Sequence, residues 1–240
     1  MYDYLLIIIG FSFPFVMNAL GSFLIFFTPV MKNDGALFGF SAGIMTSACI
    51  WSLIIPAISL SSELGVFAFL PACIGVAVGA IAIYFSEFLL RKRMRRTDLT
   101  KLFWAITLHN IPEGLAVGFA FGSSGLNLLS AMSVSFGIGV QNFPEGLAVA
   151  CAYKSGGKNN IQSFLYGVMS GIIEPISALI GALLVSFISF LQPWILSFSA
   201  GAMIYVIVDE LIPKSVQSQK GVWAFIFGFC LMMALDLALG

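Results

Sequence analysis

Long apolar runs separated by short polar connections set the rhythm of the chain. The runs lie at residues 5–27, 36–58, 65–88, 102–122, 126–151, 161–187, 194–213 and 221–239. Each approaches the roughly 20 residues that a helix needs to cross a hydrocarbon core about 30 Å thick. Numbered as spans 1 to 8, they predict an all-α integral membrane protein with eight transmembrane helices, forming a single transmembrane domain over residues 1–240. Two of the runs carry what lipid tolerates least. LHNIPEGLAVGFAFG at 108–122 in span 4 is echoed by VQNFPEGLAVACAY at 140–153 in span 5, and each copy sets an amide, a proline and a glutamate inside an apolar helix.

Residues three and four apart share a helix face. His109, Asn110 and Glu113 therefore converge in the first copy, and Gln141, Asn142 and Glu145 in the second. Pro112 and Pro144 cannot donate a backbone hydrogen bond, which frees the carbonyls of Leu108 and Val140. Freed carbonyls beside carboxylates suit a cation. The alternative is that the amides and acids glue helices together while the prolines only bend them. One such helix leaves the readings balanced; two matched copies favour a ligand site, since ionisable groups inside a membrane mark function. A third interruption, Glu174 before Pro175, falls about 13 residues into span 6, near the midplane at a helical rise of about 1.5 Å per residue.

Composition agrees with the pattern: 60% of residues are hydrophobic and 9% charged, with a mean hydropathy of +1.03, far from the soluble average. Net charge is zero, and no basic stripe on a soluble domain offers a nucleic-acid partner; the expected partner is the lipid bilayer. Cys49, Cys73, Cys151 and Cys230 stand singly in apolar segments and read as small buried hydrophobes. The start lacks a basic region and a small-residue cleavage site, so span 1 reads as a retained helix.

The eleven Lys and Arg fix an orientation. Lys32 lies between spans 1 and 2; Arg91, Lys92, Arg93, Arg95, Arg96 and Lys101 between 3 and 4; Lys154 and Lys158 between 5 and 6; Lys214 and Lys220 between 7 and 8. All sit on odd-numbered connections. Short basic loops stay cytoplasmic, which places both termini outside.

FSAGIM at 40–45 recurs as FSAGAM at 198–203, each followed by Leu-Ile and a proline. The two echoes pair span 2 with 7 and span 4 with 5, helices of opposite direction. This is the mark of an inverted repeat, with spans 1–3 related to 6–8 and spans 4–5 at the pseudo-two-fold axis.

Glu113, Glu145 and Glu174 lie deep in spans without Lys or Arg. An ionised carboxylate at such depth costs at least about 2.5 kcal/mol, so the three must be protonated or neutralised by a bound cation. Imidazole and amide donors beside them read more easily as ligands of a divalent first-row metal, zinc or iron(II), than of an alkaline-earth ion. Asp209 and Glu210, near the inner end of span 7, are either interfacial acids beside Lys214 or part of an exit path.

HNIPEG, QNFPEG and the eight-span pattern resemble the ZIP (Zrt/Irt-like) metal transporters, in particular the GufA-like branch, over nearly the whole chain. The resemblance implies a binuclear centre between spans 2, 4, 5 and 6. One site would be formed by Met45, His109, Glu113, Gln141 and Glu145. The second would be formed by Asn110, Asn142, Glu174 and the two bridging glutamates. On residues alone Met45 reads as packing; the resemblance makes it a ligand. It also implies transport of divalent metals (zinc, with iron, cadmium or manganese as further substrates) toward the cytoplasm across the plasma membrane, as a homodimer, by an elevator-type movement, and no enzymatic reaction. Many relatives carry a histidine-rich loop where this chain has RKRMRR, and some carry Asp or His at the positions of Asn142 or Gln141. Two other classes stay open: an intramembrane metalloenzyme, against which stands the lack of HExxH, and a proton-coupled carrier of an organic solute.

Overall fold

The computed structural model describes residues 2–27, 35–93, 98–122, 128–187 and 189–239. All regular structure among them is helical. In chain order the α-helices are α1 Tyr2–Phe23, α2 Gly35–Ala48, α3 Ile55–Leu60, α4 Phe69–Arg93, α5 Asp98–Gly122, α6 Leu128–Ser155, α7 Asn160–Gly171, α8 Ile173–Phe187, α9 Gln192–Val206, α10 Ile212–Ser215 and α11 Gln219–Leu239. Six helical stretches are long and apolar enough to cross a membrane: 4–26, 35–60, 69–89, 160–185, 192–215 and 219–238. They fall on predicted spans 1, 2, 3, 6, 7 and 8. The remaining long helices, α5 and α6, are 25 and 28 residues long and carry the matched polar motifs.

The chain is polar inside and apolar outside. Ile8, Leu183 and Phe227 are 63%, 58% and 63% exposed, whereas Asn18, His109, Glu113 and Gln141 are fully buried. In water this inversion would be ruinous. In a bilayer it is the stable arrangement, because acyl chains cover the apolar faces and polar groups find one another inside. The protein is an integral membrane protein.

Proline decides where the long helices deform. A π-helical segment, Cys49–Ile54, joins α2 to α3 just before Pro56, and a second, Ile207–Leu211, joins α9 to α10 just before Pro213. A proline ring crowds the turn before it and removes one ladder donor, and the wider π turn absorbs both effects. Span 6 responds differently: α7 ends at Gly171 and α8 starts at Ile173, so the helix is interrupted one turn before Pro175. α5 and α6 run unbroken through Pro112 and Pro144. At the start of predicted span 3, Gly65 adopts φ +56° and turns the chain, so α4 begins at Phe69 rather than at residue 65.

Helices pair most extensively as α2 with α11, α4 with α9, α1 with α6 and α5 with α8. Small residues allow this, since lipid supplies no hydrophobic drive between helices and close backbone approach must do the work. Gly43 on α2 packs on the Phe225 carbonyl of α11, and Gly228 of α11 on the Phe40 carbonyl. Gly201 on α9 packs on Val76 O of α4, and Gly79 of α4 on Phe198 O. Lys154 at the end of α6 donates to Ile25 O, 3.1 Å away, in the turn that follows α1. Of the basic residues that set the orientation, Lys32, Arg95 and Arg96 lie outside the described residues. Cys49 and Cys151 are buried as expected, but Cys73 and Cys230 are exposed; they stand on the outward faces of α4 and α11, where an apolar thiol costs nothing in lipid.

Because a Cβ at Gly201 would meet backbone, with no flexible side chain to give way, Gly201→Val is expected to lower stability by about 1–3 kcal/mol. Thermal unfolding in detergent, with Val222→Ala on the open face of α11 as the neutral control, measures it.

Candidate metal centre

The two motifs meet at mid-helix. His109, Asn110 and Glu113 project from α5 and Gln141, Asn142 and Glu145 from α6, and all six are at most 2% exposed. Their backbones are held close by the glycines that follow the glutamates: Gly114 packs on the Glu174 carbonyl of α8, and Gly146 on the Asn18 carbonyl of α1. Leucine at either position would push the carboxylate helices away from their neighbours.

Three of the side chains form a compact donor set. Ligand atoms of His109, Glu113 and Glu145 all lie within 4.8 Å of one another. His109 Nε2 is 3.1 Å from Glu145 Oε2 and 3.9 Å from Glu113 Oε1. Gln141 Nε2 donates to Glu113 Oε1 at 2.5 Å, so the amide nitrogen is committed and its oxygen is left over. Asn110 does the same: its Nδ2 donates to Ser170 O at 3.0 Å, across to the end of α7. Glu174, 1% exposed, lies within electrostatic reach of Glu145, and Asn142 sits between Glu113 and Glu174.

What these groups lack is as informative as what they have. Glu113 Oε2, Gln141 Oε1, Asn110 Oδ1, Glu145 Oε1, both oxygens of Glu174 and both polar atoms of Asn142 are buried and have no hydrogen-bond partner. Buried polar atoms are nearly always paired, and each orphan costs roughly 1–3 kcal/mol. Most of the orphans here are acceptor oxygens, carried by α5, α6 and α8. No Lys or Arg pairs with the three carboxylates among the described residues. Lone pairs gathered without donors suit a cation.

Met45 is fully buried on α2, in one apolar cluster with Ala116 and Val117 of α5, the turn after Glu113. One turn further on, at the start of the π-helical segment, Cys49 is within electrostatic reach of Glu113 and Glu145. Asp209 and Glu210 are not part of the buried cluster. Asp209 is exposed, and Glu210 Oε2 pairs with Lys214 Nζ at 2.6 Å. Sequence reasoning passed over a second polar feature: Ser52 Oγ donates to Asp236 Oδ1 at 2.7 Å. Both line a cavity of about 480 Å³ with Trp51, Pro56, Gln192 and Leu196. Their separation of 184 residues hides the pair from any local pattern.

Fold and site together define a polytopic helical membrane protein with a buried imidazole, amide and carboxylate cluster. The family model described as ZIP Zinc transporter matches residues 99–236. The chain is 33% identical to "Zinc transporter ZIP11" of Xenopus tropicalis, over 93% of this chain and 94% of that protein. It is 30% identical to "Zinc transporter ZIP11" of Homo sapiens, over 97% of each chain. To "Zinc transporter GufA" of Myxococcus xanthus it is 42% identical, over 57% of this chain and 54% of that protein. The chain belongs to the ZIP family, in its GufA-like branch.

An unpaired buried acid is a strain that function retains. Glu174→Gln is therefore expected to raise the stability of the metal-free protein by about 1–3 kcal/mol. If the cluster binds zinc, the same change is expected to shrink the stabilisation by the metal, which for a ligand at 100 times its dissociation constant is about 2.7 kcal/mol. Differential scanning fluorimetry with EDTA and with zinc reads both effects; a metal-free Glu174→Gln protein less stable than wild type would contradict the reading.

Proposed function

We propose that the chain is a transporter of divalent transition-metal ions, zinc foremost, which it carries toward the cytoplasm through a binuclear centre on α2, α5, α6 and α8. One observation carries the reading: Glu113, Glu145, Glu174, Asn110, Gln141 and Asn142 each have a buried oxygen that lacks a donor, and no Lys or Arg among the described residues pairs with the three acids. Family membership supports it, since relatives along nearly the full chain are named zinc transporters.

The first ion is held by Met45, His109, Glu113, Gln141 and Glu145, and the second by Asn110, Asn142, Glu174 and the bridging Glu113 and Glu145. The amide orientations favour this division. Gln141 and Asn110 have spent their nitrogens on Glu113 and Ser170, so each presents an oxygen, the atom a metal needs. A thioether, an imidazole and carboxylates suit zinc, iron(II), cadmium or manganese better than magnesium or calcium.

The architecture proposed for this task has eight spans, α5 and α6 being the fourth and fifth, related by an inverted repeat. Several features support that relation. The segments that carry FSAGIM and FSAGAM both pass into a π turn followed by a proline. The reciprocal glycine contacts of α2 with α11 match those of α9 with α4. Gly114 and Gly146 meet α8 and α1 in the same way. Transporters built from inverted repeats keep their site near the midplane and expose it alternately to either side. In this reading α1, α5, α6, α7 and α8 travel as one body past α2, α4, α9 and α11, in the plasma membrane, with both termini outside and two chains per particle. Asp209 and Glu210, at the inner end of α9, line the exit.

Zinc uptake into proteoliposomes tests the function. Purified wild type is expected to pass zinc and cadmium, and Glu113→Ala and Glu145→Ala are each expected to lower the flux by about tenfold or more. Wild-type protein that passes no divalent ion, or alanine variants as active as wild type, would end the proposal.

A further inference from the structure

Asn18 on α1 is placed as if it belonged to the metal centre. It is fully buried, and its Nδ2 donates to Gly167 O at 2.8 Å, near the end of α7. Its Oδ1 has no hydrogen-bond partner. The amide borders the centre on two sides. A Cβ built on Gly146, the residue after Glu145, would lie 2.8 Å from Asn18 Oδ1. A Cβ on Gly171 would lie 2.5 Å from Asn18 Nδ2 and 2.9 Å from Glu174 Oε1, so one missing methyl group is all that parts the Asn18 amide from the Glu174 carboxylate.

The position also has a counterpart. The glycine after Glu113 packs on the backbone carbonyl of Glu174, and the glycine after Glu145 packs on the backbone carbonyl of Asn18. The two motifs thus have equivalent neighbours, one an acid and the other its neutral analogue. Both neighbours carry orphaned side-chain oxygens, Oε1 and Oε2 on Glu174 and Oδ1 on Asn18.

We propose that Asn18 is a charge-setting member of the metal centre, the α1 counterpart of Glu174, and that its neutrality keeps the second ion weakly held. The inference rests on the metal-transport reading above. Glu113, Glu145 and Glu174 supply three negative charges, whereas two divalent ions bring four positive ones. One positive charge is left over in a medium of low dielectric, where such an imbalance is felt strongly. The first ion binds tightly and the second weakens the hold on both, which favours release. An aspartate at position 18 would balance the loaded centre and trap its cargo.

The test is zinc bound per chain as a function of free zinc, alongside zinc flux in proteoliposomes, for wild type, Asn18→Asp, Glu174→Gln and the double variant. Asn18→Asp is expected to tighten the second ion by about tenfold or more and to slow turnover. Glu174→Gln is expected to lose the second ion. Asn18→Asp combined with Glu174→Gln has the wild-type number of buried acids, moved to the other half, and is expected to regain the second ion and several times the flux of Glu174→Gln alone. A purely structural Asn18, holding Gly167 and nothing more, gives no such rescue. Wild-type protein that binds zinc, with Asn18→Asp unchanged in affinity or with no rescue in the double variant, overturns this proposal and leaves the transport reading standing. Should Asn18→Asp alone fail to fold, as judged by thermal unfolding, the double variant decides. Wild-type protein that binds no zinc sinks both.

Discussion

Three carboxylates buried within electrostatic reach of one another, in a medium that solvates charge poorly, are the constraint to which the rest of the chain answers. Glu113, Glu145 and Glu174 are each at most 2% exposed and have no Lys or Arg partner among the described residues. Such an arrangement is stable only if something positive visits it or protons occupy it. Nearly every structural oddity nearby keeps the acids close or limits their repulsion. Gly114 and Gly146 bring the helices that bear them against α8 and α1. His109 Nε2 sits 3.1 Å from Glu145 Oε2, and Gln141 gives its amide hydrogen to Glu113.

The interruption at Ile172 belongs to the same account. A helix break inside lipid leaves carbonyls without donors, which is tolerated only where side chains replace the lost bonds. Here Asn110 takes Ser170 O and Asn18 takes Gly167 O, while Ser170 Oγ also reaches Gly167 O at 2.7 Å. Mending the break thus uses up the donor end of Asn110 and leaves its buried oxygen without a donor. One bond stabilises α7 and fixes the amide that the proposed centre would use, so local fold and site chemistry are not separable at this residue.

Much of this was legible in the sequence, and the reasons follow from what each kind of pattern encodes. Apolar length is a local quantity, so six of the eight predicted spans coincide with helical stretches able to cross a membrane. The i, i+3, i+4 spacing put His109, Asn110 and Glu113 on one face, as found. Spacing could not show how a proline would be accommodated: Pro56 and Pro213 are preceded by π turns, Pro175 by a break, and Pro112 and Pro144 by neither. That choice depends on which neighbours stand ready to take the freed carbonyls. The bond of Asn18 to Gly167, 149 positions away, and its approach to Glu174 join residues distant in sequence and need the tertiary fold. The Ser52 and Asp236 pair escaped for the same reason.

The two halves of the site share a backbone plan but differ in chemistry. His109 on α5 faces Gln141 on α6 at the same place in the repeated motif, so an imidazole is matched by an amide. Met45 and Met203, at the same place in FSAGIM and FSAGAM, are both fully buried in one cluster, yet only the segment of Met45 continues to Cys49, whose charged neighbours are Glu113 and Glu145. A fully symmetric centre would hold two ions equally and offer neither side a reason to release. Under the proposed two-fold, strong donors gather around the first ion and neutral amides around the second. Under that proposal the gradient of affinity would lie within one cluster of side chains, and a small displacement of the helices that carry it would be enough to change which ion is held.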